Sequence, residues 1–246
     1  MSAGVNHVGL HSEARLPDSG EPLPDHLWGL RFGGTYRRFL ESGQWLGFSG
    51  AVGSESDCPF RSGDEVAVDA TALYRVPWGE SSALLFLLNY SNTRELWNHV
   101  PLPGFAYSYQ PSRRVLVLAG LPASFLRAQW ESGWGVSLFY LIPRTARAEA
   151  SYRLPWGVTA FASFQMDHER YFRAGRDDEG DRLFSYEKRV EAGLRWEGST
   201  GLDLEVAAGK SFDRYIFEGE DFGDRGDDRI DVRDGPFLRG EAKLRF

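Results

Sequence analysis

The sequence predicts an all-β chain: a closed up-and-down antiparallel β-barrel of about 12 strands, with 14 possible. Three observations carry this prediction. Apolar and polar residues alternate with a period of two along most of the 246 residues. The breaks between these runs are mostly short and long in turn, the rhythm of hairpins joined into a meander. Aromatic residues make up 14% of the chain, too much apolar mass for a disordered tail or a collagen-like chain.

Taken in chain order, the expected strands are 28–39, 45–53, 66–76, 81–91, 104–110, 114–120, 123–130, 134–142, 144–154, 157–168, 184–197, 202–216 and 236–246. The last is the clearest. Leu238, Gly240, Ala242, Leu244 and Phe246 alternate with Arg239, Glu241, Lys243 and Arg245. A strand sends successive side chains to opposite faces, so one face is apolar and the other charged. Val190, Ala192, Leu194 and Trp196 oppose Arg189, Glu191, Gly193 and Arg195 in the same way, and Leu202, Leu204, Val206 and Ala208 oppose Asp203, Glu205, Ala207 and Gly209. A helical period would scatter these charges around the axis. Thirteen strands is an odd count, and a closed antiparallel sheet ordinarily needs an even one. Val5–His11 within the polar N-terminal segment 1–24 is a candidate remnant of a missing first strand, and residues 25–246 form the barrel domain.

The composition bounds the function. Cys58 is the one cysteine, which excludes an internal disulfide and a multi-thiolate metal site. The net charge of −7 gives no footprint for nucleic acid. The most apolar window, Ser81 to Asn92, is about a dozen residues, whereas a spanning helix needs ~20. The start of the chain lacks the basic-then-apolar pattern of an export signal, which taken alone fits a cytosolic protein.

The remaining pattern points to a membrane. Trp78, Trp130, Trp134, Trp156 and Trp196 sit at or beside the short turns and, where parity is readable, on the apolar face, which is the arrangement of an interfacial girdle. The charged face mixes both signs. It comprises Arg31, Arg37, Asp69, Arg75, Arg127, Arg147, Glu149, Arg153, Arg189, Glu191, Arg195, Asp203, Glu205, Arg239, Glu241 and Lys243, and these are expected to line a polar lumen. A barrel with lipid outside and charge inside is therefore expected. A soluble, lipocalin-like ligand-binding barrel is the alternative, and a surface lipid hydrolase a third.

The chain ends in GPFLRGEAKLRF, an aromatic residue after strict alternation, which resembles the terminal strand of bacterial outer-membrane proteins. Pro101–Phe105, Gln110–Ser112, Leu118–Pro122, Tyr186–Arg189, Glu191–Leu194 and Gly209–Arg214, in that order, resemble an uncharacterised bacterial family of outer-membrane β-barrels. The resemblance covers roughly residues 24 to 246. It implies the fold, location in the outer membrane, contact with lipid and lipopolysaccharide, and a role for Phe246 in the signal read by the barrel-assembly machinery. Against that family the front of this chain is short, so a truncated or mis-started frame is expected to account for the missing export signal. A narrow porin-like channel or a structural surface protein follows; solute and oligomeric state do not.

Enzymatic chemistry is not expected. Asp167-His168-Glu169 is the best acid–base cluster, but Ser163 falls on the opposite parity from His168, and no second base orients it. The acidic run Asp221, Asp224, Asp227 and Asp228 offers oxygen ligands of the kind Ca²⁺ takes, without EF-hand spacing and beside Arg225 and Arg229. A solvated loop is expected there, and no metal or cofactor.

Overall fold

The computed structural model describes residues 1–10, 13–94, 97–142, 144–176, 178–198, 201–226 and 228–244. The alternating runs become strands: β1 (Ser2–Gly9), β2 (His26–Phe39), β3 (Trp45–Ser56), β4 (Ala67–Pro77), β5 (Ser82–Ser91), β6 (Leu102–Ser112), β7 (Val115–Leu121), β8 (Ala123–Gln129), β9 (Trp134–Leu141), β10 (Thr145–Arg153), β11 (Val158–Tyr171), β12 (Arg182–Glu197), β13 (Leu202–Gly219), β14 (Ile230–Val232) and β15 (Gly235–Leu244). Each pairs antiparallel with the next from β1 to β14, and β15 pairs with β13. β14 pairs with the far part of β13 (214–216) and β15 with its near part (202–211), so the two lie end to end along one edge. The sheet is therefore 14 positions wide rather than 12.

Two strands fall outside the expected thirteen: β14, three residues in a stretch read as loop, and β1. The β1 sequence, SAGVNHVG, has little apolar alternation, and only Val8 of its side chains is not fully exposed. Its place comes from backbone pairing with β2, Ser2 opposite Gly33 through Gly9 opposite His26. Backbone pairing does not close the sheet: among the described residues no ladder joins β1 to β14 or β15. The edges meet instead at one end, where Val8 and Leu10 pack with Ile230 and Val232 around Leu16, Leu23, Leu27, Tyr171, Leu183 and Ile216.

The sheet curls back on itself. Phe172, just past β11, donates its N–H to the Glu55 carbonyl at 2.7 Å, and its carbonyl accepts from Asp57 at 3.2 Å, although β3 and β11 are far apart in strand order. The two ends of the sheet differ. The connections β2–β3, β4–β5, β6–β7, β8–β9, β10–β11 and β12–β13, all short, share one end with the start of β1 and the end of β15; the longer connections at 10–25, 57–66, 92–101, 172–181 and 220–229 occupy the other, with the short β7–β8 and β9–β10 turns. Beyond Lys188 the β12–β13 hairpin is buried on both faces. One face carries the Leu16–Leu183–Ile216 cluster, and the other stacks Phe184 on Phe217 (4.7 Å between centroids) and Tyr186 on Tyr215 (4.8 Å), with Phe222 folded back edge-on over them.

Candidate functional site: a polar inner face closed at one end

The two faces of the sheet are exposed in the reverse of the usual order. The apolar side chains of β12, β13 and β15 face outward to solvent: Leu194 is 53% exposed, Val206 58% and Leu238 79%. Charged residues on the opposite face are partly covered, and Glu191 is buried. All 16 expected charged positions fall on this second face by strand register, as in the row Arg153–Thr159–Arg195–Glu205–Glu241 across five strands. Side chains there converge across strands that are not neighbours, two positions apart in the sheet. Arg195 spans Glu205 (2.5 Å) and Glu149 (3.2 Å), and Arg239 reaches Glu191 (2.8 Å), Glu205 (2.5 Å) and Glu241 (3.3 Å). Arg31 pairs with Asp69 at 2.7 Å and Lys243 with Glu241 at 2.9 Å.

Small residues make room for this network. Gly193 lies between Phe161 and Ala207, and a Cβ there would sit 2.8 Å from each; the bare backbone lets Phe161 lie across it and carry the Arg195 guanidinium at 5.0 Å. Two carboxylates that sequence reasoning did not place on this face belong to it. Asp167 receives Arg147 (3.0 Å) and Arg189 (3.4 Å), and Glu187 receives Arg189 (3.2 Å) and Arg214 (3.5 Å). Their odd parity, shared with Arg189, was the available signal. The remaining expected cations are less constrained. Arg37 lies over Trp45, Arg75 donates to the Gly43 carbonyl, and Arg127 and Arg153 line an open hollow of about 860 Å³ at the short-turn end.

Trp78, Trp130, Trp134, Trp156 and Trp196 are all exposed at the short-turn end. The outward apolar band above them ends at a polar border, Lys188 with Asp213 (2.6 Å) and Lys210 with Asp234 (3.1 Å).

At the other end the chain's own loops are tied to one another. Arg173 makes a buried two-pronged pair with Glu218 (2.9 and 2.8 Å) and touches Glu21, while Arg176 lies 3.5 Å from the buried Glu65. Arg182 donates to the Thr93 carbonyl at 2.5 Å. One basic segment thus ties together loops from four parts of the chain. Asp181 at its edge is held above the ordinary carboxylate range, first by burial and then by the charges of Glu218, Asp178, Glu220 and Asp224.

The other candidates separate. Ser163 donates to Glu191 on the inner face, while His168 packs edge-on near Phe222 on the other. The loop acids have structural work: Asp221 and Asp224 cap a helical turn reciprocally, and Asp228 accepts from the Asp18 and Ser19 N–H groups while Asp18 accepts from its own. No group of three metal-ligating side chains exists among the described residues. Asp227 and Phe246 lie outside the described residues, as does the side chain of Leu244. No described helix is long and apolar enough to cross a membrane. No protein-family model matches the chain, and no similar curated protein or solved structure was found.

Proposed function

We propose that the protein is a β-barrel of a bacterial outer membrane: a narrow, porin-like channel with its loop-end mouth held shut. The observation that carries this reading is the outward apolar band, bounded by tryptophans at one end and by Lys–Asp pairs at the other. In water such a surface is a large exposed apolar patch and an aggregation liability; in a bilayer it is the lipid-facing wall. Both ends of the sheet path at the short-turn end, with longer loops opposite, fit the barrels of that membrane. The terminal-strand resemblance adds lipopolysaccharide and the assembly machinery as partners. A soluble ligand-binding barrel would place its apolar face inside, and no catalytic role is assigned.

A second reading, a structural surface protein, has its own support: most inner arginines are compensated by carboxylates, as a rigid ion-paired filling would be. Conductance separates the two. Folded protein in planar bilayers should show small, infrequent openings, and Arg173→Gln, which breaks the buried pair with Glu218, should raise their frequency. Protein that stays silent with both Arg173→Gln and Glu218→Gln, while its segment 172–181 has become protease-sensitive, overturns the channel reading.

A further inference from the structure

The inner face is not uniformly polar. From β5 to β9 it turns apolar: Leu87 and Leu85 on β5, Leu118 and Leu116 on β7, Phe125 on β8 and Phe139 on β9. Register makes this one patch. Leu85 stands opposite Ala106, Ala106 opposite Gly120, Leu118 opposite Phe125, and Phe125 opposite Phe139. The outer face of the same strands is apolar as well, with Phe86, Phe105 and Leu138 exposed. Leu85 and Ala106 are buried, whereas Leu87, Leu116, Leu118, Phe125 and Phe139 are half-buried and keep apolar area that a ligand could cover at ~25 cal/mol per Å².

The patch has a charged border. Arg127 follows Phe125 on the same face of β8 and stands opposite Leu116. Across the 860 Å³ hollow at the short-turn end lies Arg153. Unlike Arg147, Arg189, Arg195 and Arg239, neither is ion-paired among the described residues. Glu131, Glu149 and Glu197 also line this hollow, but Glu131 is paired with Arg114 and Glu149 with Arg195, which leaves Arg127 and Arg153 to complement a molecule with an anionic head and an alkyl tail. The patch spans four inter-strand steps, ~19 Å at ~4.8 Å each, enough for a long chain.

We propose that the interior binds an anionic amphiphile: the head group on Arg127 and Arg153 at the short-turn end, and the tail along the inner wall of β5–β9. The assignment rests on the membrane-barrel reading, since only then is this wall shielded from bulk lipid. Guanidiniums take carboxylate or phosphate through paired N–H donors, which sets the head-group class.

The test is photolabelling in phosphatidylcholine nanodiscs with a diazirine-bearing hexadecanoate, its alcohol counterpart as control, and adducts mapped by peptide mass spectrometry. The acid should label Leu87, Leu118 and Phe125 saturably, with competition by unlabelled hexadecanoate and much weaker labelling by the alcohol. Arg127→Gln with Arg153→Gln, shown folded by heat-modifiable gel migration, should lower inner labelling on the order of tenfold. Outer adducts at Leu194 and Val206 should persist. Unlabelled inner residues beside labelled outer ones overturn the proposal and leave the barrel reading standing. Equal inner labelling by acid and alcohol, or no effect of the double substitution, overturns the anionic head group. Absence of outer adducts with both probes overturns the membrane reading and the proposal with it.

Discussion

Arginine placed at Val206 should be among the most damaging single changes in the wall. Val206 is on the outward face of β13, 58% exposed, between Leu194 and Gly240 of its neighbours. It lies four residues from Leu202 at the short-turn border and four from Lys210 at the polar border. At ~3.3 Å per residue and ~40° of tilt, each border is ~10 Å away, so the proposed barrel puts Val206 at mid-bilayer depth. A guanidinium there should cost ~2–4 kcal/mol, and the same change at Leu202 only ~0–1 kcal/mol. Ser49 is the matched inner control. It is exposed on the polar face of β3, beside a hollow of about 270 Å³ shared with Thr35 and Thr71, so Ser49→Arg should cost under ~1 kcal/mol. Equilibrium unfolding in lipid vesicles, followed by tryptophan fluorescence and gel migration, gives the three values. Equal costs at Val206 and Ser49, or a larger cost at Ser49, would refute the assignment of faces. A flat profile between Val206 and Leu202 would refute the depth.

Ion selectivity should be weakly anionic and should fade as salt rises, because ten basic residues face six acidic ones in the expected set while Asp167 and Glu187 reduce the excess. In reversal-potential measurements Arg127→Gln with Arg153→Gln should shift selectivity towards cations more than Arg189→Gln with Arg195→Gln, whose charges are compensated; the opposite order would contradict the pairing. Asp181 binds its proton more tightly in the folded protein than in the unfolded chain, so its contribution to holding the loop-end closure is full at low pH and declines as pH rises from about 4, the unfolded value, through its raised folded value. Proteolysis of segment 172–181 should therefore quicken over that range, and Asp181→Asn should flatten the rise; an unchanged profile in the variant would exclude Asp181. With Cys58 replaced by Ser, cysteine pairs scanned along β1 and β15 should form cross-links in membrane-embedded protein, and their absence at every register would show the seam to be open there.

What the sequence made legible follows from how local each signal is. β12, β13 and β15 alternate strongly, and their near boundaries fall within a residue of expectation because turn residues and parity are both local. The charged face was readable for the same reason. β1 was faint because its ordering comes from the free edge of β2, not from its own side chains. The ion pairs at the loop end left no local signal: Arg173 and Arg176 are polar by composition, and their partners Glu218 and Glu65 are far away in sequence. The apolar inner patch was present in plain view. Ser81–Asn92 breaks the alternation that its neighbours keep, and a run apolar at both parities is apolar on both faces.

Under the proposed membrane reading, the open edges of β1 and β15 acquire an energetic cost. Fourteen positions in an antiparallel meander place the first and last strands antiparallel to one another, so ladder pairing is allowed by topology. In hydrocarbon each unpaired N–H or C=O costs several kcal/mol, and two open edges would expose a row of them. In water the same groups are satisfied by solvent, and the seam costs little. The shared packing of Val8, Leu10, Ile230 and Val232 on one buried cluster, and the Asp18–Asp228 hydrogen bonds, already hold the two edges at one end. Closure from that anchor needs no crossing of strands and no exchange of faces. On the proposed membrane reading, a bilayer would favour a closed barrel over the curled sheet through backbone solvation, and the same step would seal the inner apolar wall of β5–β9 away from the lipid outside it.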